Sequence, residues 1–222
     1  MKNTISLRER FVRGHSLTGI IDFIGAPMAV EILARAGIDF VIIDMEHCPM
    51  DLGPLAHLIR TADAAGIAAL VRAARYAPEG ERGACPIVRA TGYWPEDWSA
   101  YAQKANRQVM LLPLIENRSA IEDIDAIAAT PGIDGLFIGP YDLSVSVGAP
   151  GADFDHPTMS AGLDRIVASC RRNSKFVVST IGDRQEADYC RRLVQRGIQG
   201  LVLATDALVL LQACQRLVAF TR

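Results

Sequence analysis

Lysine is scarce in this chain: Lys2, Lys104 and Lys175 are the only three among 23 basic residues. Chemistry that runs through a lysine Schiff base therefore has few candidates. No CxxC pair occurs, and Cys48, Cys85, Cys170, Cys190 and Cys214 are odd in number and scattered. That argues against a disulfide framework and a zinc cluster, and the cysteines read as buried free thiols. No GxGxxG or GxxxxGK[ST] follows the first apolar run, which counts against the nucleotide-binding open sheets. No basic patch or tail stands out, so nucleic acid is not an expected partner. No uncharged apolar run approaches the length of a bilayer span. Lys2, Arg8, Arg10 and Arg13 precede an apolar stretch that Asp22 interrupts, without a cleavage context. A signal peptide is not read there, and a cytoplasmic location is expected.

What is present is apolar. Half of the 222 residues are hydrophobic, 22% are charged and the net charge is -2, enough to fill the core of one domain spanning residues 1–222. Short β-branched runs alternate with longer helical stretches. The strands are expected at Gly19–Ile24, Phe40–Asp44, Ala68–Arg72, Val109–Glu116, Gly135–Gly139, Phe176–Ile181 and Gly200–Ala204. Helices are expected at Ala29–Ala36, Leu52–Ala65, Glu96–Asn106, Arg118–Ala129, His156–Arg172, Arg184–Arg196 and Ala207–Phe220. Several strands are continuously apolar, as in a parallel sheet buried on both faces. With polar residues gathered at the strand ends, the pattern predicts an α/β fold of the TIM-type (β/α) barrel class. Seven β/α units are recognisable where a closed barrel has eight, so the barrel is expected to be open or distorted.

Three strand ends carry chemistry. DMEHCP, Asp44 to Pro49, sets Asp44, Glu46 and His47 together, and a carboxylate beside an imidazole suits a general base. A polar turn leading a helix, with Asp44 satisfied by backbone donors, is the structural alternative. PLIEN places Glu116 at the end of one apolar strand, and FIGPYDLS places Asp142 just past the next. Carboxylates ending neighbouring parallel strands point into one mouth and make a hard-cation site; capping of the following helices is the alternative. Arg72 ends another expected strand, where a guanidinium can hold a substrate carboxylate. His15, His57 and His156 have no such company and read as structural or solvent-facing.

Three segments together carry a resemblance: EILARAGIDFVIIDMEHCPMDL, ARYAPEGERG and IDGLFIGPYDLS. The chain resembles the HpcH/HpaI aldolases, metal-dependent class II enzymes of 2-oxo acids built on a (β/α)8 barrel. The resemblance implies Glu116 and Asp142 as ligands of Mg²⁺, Mn²⁺ or Co²⁺, and His47 with Asp44 as the acid/base pair. It implies Arg72 as the pyruvate-binding arginine, with Gly139, Pro140 and Leu114 beside the substrate. It also implies a homo-oligomer, usually a hexamer built as a trimer of dimers, in which the last helix, residues 207–220, is exchanged between subunits.

This chain departs from the family pattern. Leu114 stands where members often have Gln. LVR runs directly into AARY at residues 70–76, so about one β/α unit of roughly 30–40 residues is absent relative to a full barrel. Arg72 is ambiguous for the same reason, because a strand end and the helix before Ala-Arg-Tyr both read Val-Arg. The gap has three expected outcomes: a clean seven-stranded barrel, a replacement strand from Cys85–Ala90, or an open seam.

The reaction expected is cleavage or formation of a 4-hydroxy-2-oxo acid, giving pyruvate or a close relative and an aldehyde. Lys2, Lys104 and Lys175 are badly placed for a Schiff base, which leaves a divalent cation as the electrophile. The alternatives are an acyl-CoA lyase of the same superfamily, for which no focused basic path for phosphates is visible, and a non-catalytic oxo-acid-binding barrel. Metal binding with weak or absent aldolase activity is the expectation for this chain.

Overall fold

A computed structural model describes residues 6–24, 26–44, 74–88, 91–182, 184 and 186–220. Six strands are observed among them: β1 (Leu17–Asp22), β2 (Phe40–Ile43), β3 (Leu114–Ile115), β4 (Gly135–Ile138), β5 (Phe176–Thr180) and β6 (Gly200–Thr205). They form one sheet in the order β2-β1-β6-β5-β4-β3, and every pairing is parallel. The last strand pairs with the first, as in a barrel, and the sheet curls into a half-barrel in which β2 and β3 are the outermost strands among the described residues. The expected strand Ala68–Arg72 and helix Leu52–Ala65 lie outside the described residues.

Alternate residues along β4, β5 and β6 feed two cores. Leu136, Ile138, Val177 and Leu201 pack outward against α5 (Ile124–Ala129) and α7 (Pro157–Arg172), through Ile124, Leu163 and Ile166. Phe176, Val178 and Val202 face the other way, with Phe137, Phe40 and Ile42 packed beside them. Phe11 of α1 (Leu7–Val12) closes the N-terminal end of this inner face by stacking on Phe176, with ring centroids 4.3 Å apart. Glycine makes room for these rings. A Cβ at Gly135 would lie 2.6 Å from the Phe176 side chain and from its carbonyl oxygen, and the two residues are register partners on β4 and β5.

Several expected boundaries are corrected. β1 ends at Asp22 rather than Ile24, because the Phe23 and Ile24 amides donate to the Asp206 carboxylate (2.8 and 3.2 Å) instead of a neighbouring strand. The long strand expected at Val109–Glu116 shrinks to Leu114–Ile115. Leu111 N–H donates to the Asp134 side chain and Pro113 has no N–H to give. Arg118–Ala129 divides into α4 (Arg118–Glu122) and α5, joined at Asp123. Cys85–Val88 run as coil and bend, so the replacement strand is not found there; Arg89 and Ala90 lie outside the described residues.

The remaining helices sit where the periodicity puts them to within a few residues. They are α2 (Pro27–Arg35), α3 (Trp98–Gln108), α8 (Ala187–Arg196) and α9 (Asp206–Ala219). Two helices are additional, α1 and α6 (Pro140–Ser146). The α1 signal is Ser6-x-x-Glu9, a capping box in which each side chain accepts from the other residue's backbone N–H. No helix of the described residues is long and apolar enough to cross a membrane.

Candidate active site at the C-terminal ends of β3 and β4

Parallel pairing brings Glu116 and Gly139 side by side. Leu114 and Ile115 are in register with Phe137 and Ile138, and Gly139 N–H donates to Ile115 O at 3.1 Å. Gly139 lets Glu116 approach its backbone closely. A methyl group built on Gly139 would sit 3.3 Å from Glu116 Cβ, 3.4 Å from its Oε2 and 3.5 Å from Leu114 Cδ1.

Capping is done by other residues. Asn117 is the N-cap of α4 and accepts from Ala120 N–H at 2.8 Å, which leaves Glu116 outside the cap. Gly139 is the N-cap of α6 and has no side chain to cap with, while Asp142 lies in that helix's first turn and is exposed. Neither carboxylate is the N-cap of the helix that follows it.

The turn between them is tied down. Ser144 Oγ donates to Tyr141 O at 2.6 Å and accepts from Gly151 N–H at 2.9 Å. Arg118 ties the start of α4 to the end of α6: its N–H donates to Ser146 Oγ at 3.0 Å and its guanidinium to Val147 O at 3.1 Å. Glu116 and Asp142 are thus carried on backbone held by the same set of hydrogen bonds.

Other expected site residues fall as follows. Leu114, Gly139 and Pro140 belong to this cluster. Asp44 is half-buried just past β2, on the same C-terminal face but at the opposite edge of the sheet. His47 and Arg72 lie outside the described residues. Among the histidines, His15 is exposed, and His156 caps α7 by accepting from Thr158 N–H through Nδ1 at 3.3 Å. Lys175 lies ahead of β5 at the N-terminal end, donating to Ile133 O at 2.7 Å, and Lys104 is exposed on α3.

One feature of the mouth escapes the sequence reading: a cavity of about 400 Å³ directly behind the Pro140–Tyr141 turn. Phe154, Thr180, Ile181 and Tyr189 supply its walls. A polar Thr180 ending the apolar run of β5 was the available signal. Arg184 lies over the Tyr189 ring at 4.5 Å and pairs with Asp153. Burial opposes ionisation of Asp153, but the Asp155 amide and the Arg184 guanidinium outweigh it and hold its carboxyl below the ordinary range. Tyr189 is pushed up by burial.

Two carboxylates on adjacent strand ends supply the hard oxygen donors that Mg²⁺ or Mn²⁺ takes, and the Gly139 notch leaves space around Glu116. They could hold such an ion with positions left open. Among the described residues no group of three or more His, Cys, Asp and Glu side chains gathers.

Comparison with known proteins identifies the family. The profile of the HpcH/HpaI aldolase/citrate lyase family matches residues 58–211. The chain belongs to that family. A hydroxypyruvate/pyruvate aldolase of Chromohalobacter salexigens is 32% identical, over 86% of this chain and 87% of its own length. Another, from Paraburkholderia phytofirmans, is 29% identical over 96% of both. An HpcH/HpaI aldolase structure from Desulfitobacterium hafniense superposes with a TM-score of 0.83 at 25% identity, covering 98% of this chain and 97% of its own. The Paraburkholderia alignment spans 259 positions against a chain of 222 residues. Since 96% of this HpcH/HpaI chain is about 213 residues, about 46 of those positions have no counterpart in it.

Proposed function

We propose that the chain is a divalent-metal-dependent aldolase acting on 2-oxo acids, with turnover weakened by the missing unit. The observation that carries this reading is the pairing of Glu116 with the Gly139–Asp142 turn at the ends of β3 and β4, where neither carboxylate is the N-cap of the helix that follows it. Glu116 and Asp142 are the residues that would hold the cation. When bound, it supplies electrophilic stabilisation for the enolate of pyruvate or a close relative.

The protein's own groups do the rest. His47, kept basic by Asp44, takes the proton from the 4-hydroxyl as the C–C bond breaks and returns it in the condensation direction. Arg72 offsets the charge that develops on the oxo acid. Leu114 and the Gly139–Pro140 backbone bound the oxo-acid end, Leu114 removing a polar contact that a glutamine would make. Support for both His47 and Arg72 comes from the family resemblance. The absent unit removes one wall of the mouth, which favours a non-catalytic oxo-acid-binding barrel as the second reading.

Turnover of pyruvate with a panel of aldehydes, with added Mg²⁺ or Mn²⁺ and then with chelator, separates the two. Metal-dependent product that disappears in Glu116→Gln supports the enzyme. Metal binding without product leaves the binder, and Glu116→Gln binding metal as tightly as wild type overturns the site. The assembly reading is a homo-oligomer joined through α9, whose Leu210, Leu211, Leu217 and Val218 are about half exposed or more. A monomeric elution at micromolar concentration would count against it.

A further inference from the structure

The opposite end of the sheet has the opposite charge. We propose that it carries a second site, separate from the carboxylates of the mouth, for a small oxyanion: a carboxylate or phosphate on a short apolar stem. A cavity of about 420 Å³ opens at the N-terminal end of β5, lined by Arg8, Phe11, Asp134, Lys175, Phe176 and Gln199.

Two cations, Arg8 and Lys175, line it around one buried carboxylate that is already used, and a third, Arg75, does not line it but reaches the same carboxylate. Asp134 pairs with Arg8 through Oδ1, while Oδ2 accepts from Leu111 N–H at 2.9 Å and lies 3.7 Å from Arg75. Arg75 is buried, donates to the carbonyls of Asn106 and Gly132, and has an Nε with no hydrogen-bond partner. Its other acid, Glu79, is 3.9 Å away and half exposed. Lys175 is half-buried and spends one N–H on Ile133 O. No carboxylate of the described residues lies within ion-pair distance of it.

Positive charge in a recess with too few carboxylates is costly unless an anion enters. Beneath it the lining is apolar, formed by Phe11 and Phe176, which stack on each other with their planes 5° apart. A cationic rim over an aromatic floor selects a ligand with an oxyanion head and a small hydrocarbon body. Gln199 adds an amide at the same wall, its Nε2 held by Phe11 O at 3.3 Å.

Calorimetric titration of the full chain tests this, with inorganic phosphate in one arm and malonate in the other, at low ionic strength and with chelator present. Saturable binding of either anion is expected, and the preferred arm tells phosphate from carboxylate ligands. Val12→Glu puts a carboxylate on the rim, at a residue that is 75% exposed and outside the core. It should weaken binding at least about tenfold through like-charge juxtaposition, as should Lys175→Gln, with circular dichroism unchanged for Val12→Glu. Glu116→Gln should bind as wild type does. No saturable heat in either arm, undiminished binding by Val12→Glu, or loss of binding in Glu116→Gln would each overturn the proposal.

Discussion

α7, which precedes β5, buries seven of its sixteen residues, whereas α2, between β1 and β2, buries none of its described side chains. The two helices are comparably amphipathic in sequence, so the apolar stripe alone does not decide their fate. What differs is the surface each one meets. α7 lies on β5 with α4 and α5 beside it, and Leu163 and Ile166 are fully excluded from solvent. α2 leaves Met28 and Ile32 more than half exposed. The carboxylate pair is attached to the well-packed side, since β3 and β4 share their outer core with α7. The aldolase reading therefore depends on the part of the sheet that is packed on both faces.

The first way to break the contrast is to empty the α7 core. Leu163→Ala removes a side chain with 0% exposure from the centre of the outer cluster. The lost transfer free energy and the residual cavity together cost about 2–5 kcal/mol. Urea denaturation followed by circular dichroism reads this as a lower midpoint with an unchanged slope. A loss below about 1 kcal/mol would mean that the cluster collapses around the deletion, and the packed half would not be the stronger one.

The second concerns the polar tie between β1 and α9. Asp206, at the start of α9, accepts from the amides of Phe23, Ile24 and Ala207 at 2.7–3.2 Å, beside the Asp22 side chain. Burial opposes its ionisation, but those donors outweigh it and hold the carboxyl below the ordinary value. A carboxyl whose folded pKa is depressed stabilises the fold above the unfolded value, near 3.9, and the contribution is lost as pH falls through the folded value. Asp206→Asn should cost about 1–3 kcal/mol at neutral pH, the range for hydrogen bonds to a buried charged group. It should also flatten the fall in urea midpoint below about pH 4. Equal acid sensitivity in the variant and the wild type would assign that sensitivity to other carboxylates, of which Asp39 is the next candidate, since the Thr18 amide and Arg10 hold it low against the opposing effect of burial.

The same polar tie shows where sequence reading stops. Hydrophobic runs give β2, β4, β5 and β6 to within one residue at each end, because a strand buried on both faces has no polar interruption. They overrun β1, since Phe23 and Ile24 are as apolar as the strand before them, and only the carboxylate of Asp206, some 180 positions away, ends the pairing. Val109–Glu116 fails for a different reason: the Leu111 and Pro113 carbonyls accept from the β4 segment, but Leu111 spends its N–H on the Asp134 side chain and Pro113 has none to give. Glu116 and Asp142 are legible because a charged residue after an apolar strand stands out locally. Arg8, Arg75, Asp134 and Lys175 are not, because their grouping exists only once Asp134 is brought between α1 and residue 75.

The smallest effect is expected on α2. Ile32 is 60% exposed on its outer surface, so Ile32→Ser removes little buried area and adds a hydroxyl that water can reach. Surface substitutions of this kind stay within about 0.5 kcal/mol, with serine's slightly poorer helix propensity as the main contribution. The measurement is the urea midpoint against wild type at two protein concentrations tenfold apart. A near-zero change at both keeps α2 as a solvated helix and the contrast with α7 as drawn. A loss above about 1.5 kcal/mol at both would show that Ile32 is covered within its own chain. A loss that grows with protein concentration would place a second copy on α2, because a binding partner adds stability by mass action only where the apolar contact is intact.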